Sequence, residues 1–532
     1  MKSQRARRSA YVVVVALLIE IVACGGPTEE TSLSPLATSC GQLMDLDLAD
    51  TQIITANVVP AGLFTPPAAS ASLEVPAFCR TMGQISPEIN FEVWLPLERW
   101  NTKFQGIGNG GMAGSIRYDR MAEALRRGYA TAATDTGHVT NNTFDATWAL
   151  GRPELIEDFG HRALHLMTIN AKTITGTYYG QPPAYAYYVG CSKGGQQGLM
   201  EAQRYPEDYD GLIAGNPAHD WTRFYAGAHL WYSLATLADP DSYIPAGKLP
   251  LLGDAVNLAC DTIDGIKDGV LQDPRACDFD PAQLMCTPEQ GIETCLTPKQ
   301  VETVRAIWSG TTTSAGELVY PGLVPGGEAS PGGWDRWVTG EAPFTSLHWL
   351  AAEGFFRHMV FEDKDWDFQS FDYKKDLAFA LEKVGNQLDA RDHDLRPLRE
   401  RGGKLIVYHG WSDADISPLS SINYYENVVS LIGNDRDPEA ALAETQDFFR
   451  LFMAPGMGHC RGGPGPDRFD TLTALERWVE LGEAPEQIVA SRVTDGVVDL
   501  TRPLCPYPQM ATWNGTGNTK DAANFSCTVP AG

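Results

Sequence analysis

An α/β architecture is what this sequence predicts: a mostly parallel sheet, covered by helices on both faces and interrupted by one large insertion. Three observations predict it. Short β-branched and aromatic runs alternate with helical stretches, the signature of strand–helix–strand units. One such run leads through Gly190-Cys191-Ser192-Lys193-Gly194 into a helical stretch. From about 220 to 400 the alternation stops, and cysteine, Gly-Pro pairs and aromatic residues take over.

The elements follow in order. Phe91 to Leu97 and Lys103 to Gly108 read as strands, and Arg120 to Arg127 as a helix leading into a strand from Gly128 to Thr134. Tyr185 to Val189 and Tyr209 to Ala214 are strands flanking a helix from Gln196 to Arg204. Lys404 to His409 and Phe448 to Ala454 are later runs of the same kind, and Thr471 to Leu481 is an amphipathic helix. The expected organisation is a leader at 1–23, a tether at 24–38, a catalytic domain from 39–219 and 401–532, and an inserted lid at 220–400.

The central motif fits G-x-S-x-G, a strained turn that lifts a serine Oγ above a sheet. A serine hydroxyl is a weak nucleophile until an imidazole takes its proton and a carboxylate fixes that imidazole's tautomer. On an α/β-hydrolase core the order is Ser, then Asp or Glu, then His. The acid is expected just past a late strand, where Gly410-Trp411-Ser412-Asp413 follows Lys404 to His409. Of the 10 histidines only His459 lies beyond Asp413, in a turn made by Gly456-Met457-Gly458. Asp415 is the rival acid, and Asp413 is preferred because it directly follows the turn. His409 is expected to be a strand-end histidine bonded to backbone. The oxyanion hole is expected from the N–H of Lys193 and from Gly110 or Gly111, in the glycine-rich loop after an early strand. That loop, Gly106-Ile107-Gly108-Asn109-Gly110-Gly111, lacks the lysine and hydroxyl of a phosphate-binding P-loop.

Charge and cysteines bound the setting. The 67 acidic against 41 basic side chains give a net charge of -26, which argues against nucleic-acid and anionic-lipid partners. Lys2, Arg5, Arg7 and Arg8 precede an apolar run from Tyr11 to Val22, as in an export leader. Ile21-Val22-Ala23-Cys24 resembles a bacterial lipobox, so lipidation at Cys24 is expected, with the cell envelope or secretion as destination. Setting Cys24 aside, 10 of the 11 cysteines remain. Neighbour spacing pairs Cys40 with Cys79, Cys260 with Cys277, Cys286 with Cys295, and Cys505 with Cys527. No C-x-x-C spacing suggests a zinc site.

At these residues the chain resembles the tannase/feruloyl esterase family, extracellular esterases that include a mono(2-hydroxyethyl) terephthalate hydrolase. The resemblance runs from about Cys40 to the C-terminus. It is carried by Gly190-Cys191-Ser192-Lys193-Gly194-Gly195, Tyr205-Pro206, Asp210-Gly211 and Gly215-Asn216-Pro217-Ala218, then by His409-Gly410-Trp411-Ser412-Asp413 and Gly458-His459-Cys460. It implies Ser192 as nucleophile, Asp413 and His459 as its partners, and a Cys191–Cys460 disulfide. Asp413-Ala414-Asp415-Ile416-Ser417 departs from the family, whose members often carry proline after the aspartate. The resemblance also implies a structural Ca2+ held by Asp261, Asp264 and Asp268 with the carbonyls of Ile266 and Val270. Several oxygens in one tight turn suit that hard cation.

The expected activity is therefore a serine carboxylic ester hydrolase for small aromatic esters, hydroxycinnamoyl or galloyl. The alternatives are an esterase like mono(2-hydroxyethyl) terephthalate hydrolase, a peptidase on the same core, and a catalytically inactive surface protein that binds phenolics. Trp334, Trp337, Trp349, Phe355, Phe356, Phe361, Trp366 and Phe368 crowd one part of the lid, where they serve as core or as a stacking wall for an aromatic acyl group. Arg357 among them is expected to pair with an acid such as Asp363, or with a substrate carboxylate.

Overall fold

Nine strands form one sheet in the order β1-β2-β3-β5-β4-β6-β7-β8-β9. They are β1 (Thr51–Val59), β2 (Phe78–Ile85), β3 (Ile89–Pro96), β4 (Lys103–Ile107), β5 (Ala130–Thr134), β6 (Tyr185–Cys191), β7 (Gly211–Gly215), β8 (Lys404–Gly410) and β9 (Phe449–Ala454). From β5 to β9 every neighbouring pair is parallel, while β1, β2, β3 and β5 pair antiparallel. The structure is a computed structural model that describes residues 38–67, 71–140, 142–434 and 436–530. The expected leader, Cys24 and all of the tether but its last residue lie outside the described residues. No helix among the described residues is long and apolar enough to cross a membrane.

Helices cover both faces, as alternation along a parallel sheet requires. Helices α1 (Tyr118–Arg126) and α5 (Thr471–Leu481) lie on one face, packing with Tyr187, Ile213 and Ile406. Helices α2 (Ala163–Tyr179), α3 (Lys193–Arg204) and α4 (Pro418–Gly433) lie on the other, with Tyr188, Leu212, Ala214, Leu405 and Val407. Neighbouring residues of one strand thus enter opposite cores. This is an α/β-hydrolase fold, and the seven strands expected from the sequence all form, with no end shifted by more than two residues.

Two strands and two long helices carry weaker sequence signals. In β1 the alternation is broken by a register shift between Ile53 and Thr55. In β2 a charged residue points inward: Arg80 donates to the buried Glu92, its Nε 2.8 Å from Oε2. Helix α2 is rich in threonine, a poor helix former. Four of its threonine hydroxyls bond back one turn, as in Thr168 to the Leu164 carbonyl at 2.8 Å and Thr175 to Ala171 at 2.7 Å. Helix α4 begins on Pro418, directly after the 413–417 loop that carries Asp413 and Asp415.

Between β7 and β8 the chain leaves the sheet and builds its own core from helices such as Leu249–Cys260, Pro298–Ser309 and Leu347–Gly354. After α5 two hairpins follow, Ile488–Thr494 with Val497–Leu504 and Met510–Trp513 with Phe525–Thr528. All five disulfides form as expected: Cys40–Cys79, Cys191–Cys460, Cys260–Cys277, Cys286–Cys295 and Cys505–Cys527.

Candidate active site

Each expected site residue follows the C-terminal end of a parallel strand. Gly110 and Gly111 follow β4, Ser192 follows β6, Asp413 follows β8, and His459 follows β9. Open α/β sheets collect ligands at that edge. Ser192, His459, Gly110 and Gly111 all line one cavity of about 1160 Å³.

Ser192 has φ 64° and ψ −121°, a conformation that costs a non-glycine residue on the order of 1–3 kcal/mol. Glycines make the turn possible by close approach. A Cβ on Gly190 would lie 2.4 Å from the Gly194 carbonyl oxygen, and one on Gly108 would lie 2.8 Å from the Gly194 Cα. Ser192 is held from behind by its own N–H, which donates to the Gly215 carbonyl at 2.9 Å. The N–H groups of Gly110, Gly111 and Lys193 have no partner among the described residues, as an oxyanion hole requires. Two side chains whose roles were not legible in the sequence shape this loop. Gln197 accepts from the Asn109 N–H at 2.9 Å, and Asn109 Nδ2 donates to the Thr134 carbonyl at 2.8 Å. The Lys193 side chain turns away into the protein, donating to Gln196 at 2.7 Å with its Nζ 3.8 Å from the Phe159 ring centre. Burial pushes its pKa well below the usual lysine value.

Asp413 is buried and saturated. Its Oδ1 accepts from the N–H groups of Asp415 at 2.8 Å and Ile416 at 3.1 Å. Its Oδ2 accepts from Asn216 Nδ2 at 2.7 Å and lies 3.0 Å from His459 Nδ1. Burial works against its charge, but His459 and His409 outweigh burial and hold the carboxyl far below the usual range. His409 bonds the Ile416 carbonyl at 3.0 Å and Ser421 at 2.8 Å, the structural role expected of it. Asn216 sits in the quoted Gly215-Asn216-Pro217-Ala218 run, yet only its place beside Asp413 shows what it does.

Asp415 also reaches His459, on the other side. Its Oδ2 lies 3.4 Å from Nε2, while its Oδ1 accepts from His229 Nε2 at 2.8 Å and is 3.6 Å from His348 Nε2. Burial lowers the His459 pKa, but Asp413 and then Asp415 raise it to about 9 overall. The same burial lowers His229 to about 4, so it stands neutral and donates to Asp415. The Asp415, His229 and His348 donors lie within 4.8 Å of one another, as do those of His165, Glu201 and Asp208 outside the cavity. Hydrogen bonds join His229 to Asp415 and His165 to Asp208, while the buried His348 ring nitrogens and Glu201 carboxylate oxygens have no hydrogen-bond partner among the described residues.

The Cys191–Cys460 bond joins the neighbours of Ser192 and His459 across 269 residues, with Cα atoms 6.1 Å apart. No hydrogen bond joins Ser192 Oγ to His459 among the described residues; the disulfide holds the two loops together.

Of the eight crowded aromatics, only Trp337 lines the cavity, its ring edge-on to His459 at 5.1 Å. Trp334, Phe355 and Phe356 are fully buried in the insertion's core. The apolar wall comes instead from Phe144, Trp221, Phe224 and Tyr225. Arg357 pairs with Glu353, one helical turn away, in place of Asp363.

The loop expected to hold Ca2+ carries three aspartates, Asp261, Asp264 and Asp268, which are not among the described groupings whose donor atoms lie within 4.8 Å of one another. Gly265 and Gly269 turn it at φ 86° and 76°. Asp264 is raised to about 6, first by burial and further by Asp268 and Asp261, so the carboxylates crowd one another. Arg502 offsets part of that charge, its Nη2 2.6 Å from Asp268 Oδ2. A divalent cation with oxygen preference would neutralise the remainder.

An elbow serine, a buried Asp–His pair and a disulfide between the neighbours of Ser192 and His459 lie at one sheet edge. A family model described as "Tannase and feruloyl esterase" matches residues 73–528. The chain belongs to the tannase and feruloyl esterase family. It is 40% identical to an uncharacterised esterase of Xanthomonas campestris, over 96% of this chain and 94% of that one. It is 35% identical to the mono(2-hydroxyethyl) terephthalate hydrolase of Piscinibacter sakaiensis, over 87% of each. The crystal structure of feruloyl esterase B from Aspergillus oryzae matches with a TM-score of 0.83 at 29% identity, covering 92% of this chain and 100% of that chain. The protein is thus a carboxylic ester hydrolase of the tannase and feruloyl esterase type.

Proposed function

We propose that the protein hydrolyses esters of aromatic carboxylic acids, hydroxycinnamic or gallic, through an acyl-enzyme on Ser192. The observation that carries this is the Asp413–His459 contact at 3.0 Å beside a strained Ser192, joined through Cys191–Cys460. His459 takes the Ser192 proton as Oγ attacks the ester carbonyl, and the oxyanion is met by the N–H groups of Lys193 and of Gly110 or Gly111. Collapse breaks the ester C–O bond, and the departing alcohol oxygen takes the proton from His459. Water then gives its proton to His459 and attacks the acyl carbon. The acid leaves, Oγ regains its proton, and the cycle closes. Trp337, Trp221, Phe224 and Tyr225 supply flat apolar surface for an aromatic acyl group.

Asp261, Asp264 and Asp268, with the Ile266 and Val270 carbonyls, would hold Ca2+ as a structural ion. The cationic leader and the five disulfides support export, with Cys24 as a lipid attachment point. The test is hydrolysis of methyl ferulate, methyl gallate and mono(2-hydroxyethyl) terephthalate by the purified protein. Turnover of methyl ferulate or methyl gallate is expected. Turnover of the terephthalate ester alone would transfer the assignment to the alternative activity, and turnover of none would overturn it.

A further inference from the structure

Glu201, near the C-terminal end of α3, is only 1% exposed. Among the described residues it is the one buried acid whose two carboxylate oxygens both lack a hydrogen-bond partner. Taking a carboxylate out of water unanswered is costly, so buried acids are paired, hydrogen-bonded or bound to a metal. Other buried acids of this protein follow that rule. Glu92 accepts from Arg80 at 2.8 Å and from Trp94 Nε1 at 2.7 Å. Lys172 eases the Glu201 charge only from a distance, because its Nζ donates to the Asp208 main-chain carbonyl at 2.8 Å.

Two groups from other segments converge on Glu201. His165 on α2 and Asp208 on the loop from α3 to β7 bring donor atoms that lie, with a Glu201 oxygen, within 4.8 Å of one another. Asp208 is buried, whereas the His165 side chain keeps 24% of its surface in solvent, so the cluster has one open side. The imidazole is fixed in orientation. Its ring stacks on Tyr205 at 3.7 Å, and the Tyr205 hydroxyl is bonded to His161 Nδ1 at 2.8 Å. His165 Nδ1 lies 2.6 Å from Asp208 Oδ2, a bond that a cation between them would replace.

Charge and chemistry select the occupant. Two carboxylates and a neutral imidazole are balanced by a divalent cation. An imidazole nitrogen with carboxylate oxygens suits Zn2+ and its transition-metal neighbours, whereas Ca2+ and Mg2+ take oxygen ligands. Three protein ligands, with water on the open side, complete a four-coordinate centre. The competing occupant is a proton. Burial and then the Asp208 charge push the Glu201 carboxyl well above the usual carboxylate range, and a proton there needs only Asp208 as acceptor. The oriented imidazole beside both acids is what a cation uses and a shared proton does not.

We propose that His165, Glu201 and Asp208 form a structural site for a divalent transition cation of the zinc type, joining α2 to the end of α3. None of the three lines the cavity that holds Ser192. Glu201 lies about 13 Å along the α3 axis from Ser192, so the ion holds the helix and takes no part in the reaction.

The full protein, stripped with chelator and returned to excess Ca2+ so that the acidic loop is held constant, is titrated with Zn2+ alone. Calorimetry reads the binding, and the melting temperature is followed in parallel. No substrate is involved, so the result stands apart from the esterase assignment. The wild type should take up one tight equivalent and melt a few degrees higher. Glu201→Gln keeps the shape and removes the unanswered charge, so without zinc it should melt at or above the wild-type temperature. Its affinity for Zn2+ should fall by about 100-fold or more, since even a group that only supports a ligand costs 10–100-fold. The zinc-dependent rise in melting temperature should vanish with it. His165→Gln should lose the same equivalent, which a proton shared by Glu201 and Asp208 does not require. His348→Gln, in the grouping beside Asp415, should keep it. No tight equivalent in the wild type, or one retained by both Glu201→Gln and His165→Gln, would overturn the site. An equivalent lost in His348→Gln instead would overturn its placement on α2 and α3.

Discussion

The two regions that meet at the cavity handle chemistry differently. Along the sheet edge, each of Ser192, Asp413 and His459, the groups proposed to react, follows its own parallel strand, so its place is set by strand order and one short turn. In the segment between β7 and β8, residues of similar chemical promise are mostly spent on packing. Trp334, Phe355 and Phe356 vanish into a local core, and Arg357 pairs one turn away with Glu353. Only Trp337 of that aromatic crowd reaches the cavity. A periodic scaffold exports its side chains to a predictable edge; the irregular helical insertion also reaches the cavity, through Trp221, Phe224, Tyr225 and Trp337, but which of its aromatics do so depends on contacts remote in sequence.

The sharpest way to break this contrast is at the edge itself. Ser192→Ala should lower kcat by on the order of 10⁶, and Asp413→Asn by about 10⁴ through a mis-set imidazole tautomer. Asp415→Asn should cost far less and change the pH profile instead. Catalysis needs neutral His459, so kcat/KM should rise with pH toward the raised value of about 9. Asp413 and Asp415 contact that ring, His229 and Arg336 couple to it through charge, and Asp415 supplies one of its two carboxylates. Removing that anion lowers the His459 pKa, so the acid limb should move to lower pH. A larger loss in Asp415→Asn than in Asp413→Asn would exchange their roles.

Much of this edge was legible in the sequence. The elbow motif with its flanking strand and helix marked Ser192, and chain order left His459 as the only histidine beyond Asp413. The four neighbour pairs of cysteines were readable from spacing, whereas the Cys191–Cys460 bond needed the family resemblance, because 269 residues separate its partners. What stayed hidden depended on distant partners. Asn216 matters because its Nδ2 meets Asp413, 197 residues away. Gln197 matters because it holds the Asn109 N–H. Strand β2 and helix α2 were masked by residues that look misplaced until Glu92 and the backbone carbonyls of the preceding turn are seen to satisfy them.

The Cys191–Cys460 bond ties the Ser192 loop to the His459 loop, and replacing both cysteines with alanine separates two possible effects. The chain-entropy model assigns so long a loop roughly 5 kcal/mol of stability. Geometry adds a second cost, since displacing a reacting group by about 1 Å can lose 10²-fold in rate. With no Ser192–His459 hydrogen bond to hold the pair, kcat should fall by about tenfold or more even well below the variant's melting temperature. Full kcat in the cold would show the bond to be a staple alone.

The smallest expected effect tests whether the insertion is as separate from the edge as its sequence position implies. The acidic loop is remote in sequence from Ser192, Asp413 and His459, yet it is not isolated in space. Ile266 packs with Cys505, Ala511 and Phe525 of the C-terminal hairpins, and Asp268 pairs with the buried Arg502. A Cβ on Gly456, three residues before His459, would lie 3.1 Å from the Val270 Cγ1. An ion bound only by the folded protein stabilises it by about 2.7 kcal/mol at a hundredfold excess over its dissociation constant. Chelation should therefore lower the melting temperature by a few degrees, the shift expected of about 2–3 kcal/mol in a large domain. Because Val270 backs the turn that presents His459, kcat should decline along with stability and recover on adding Ca2+. A lower melting temperature with unchanged kcat would confine the ion to the insertion. An unchanged melting curve after exhaustive chelation, with no metal found by elemental analysis, would remove the calcium assignment and leave the loop's acids to Arg502 and the other nearby cations.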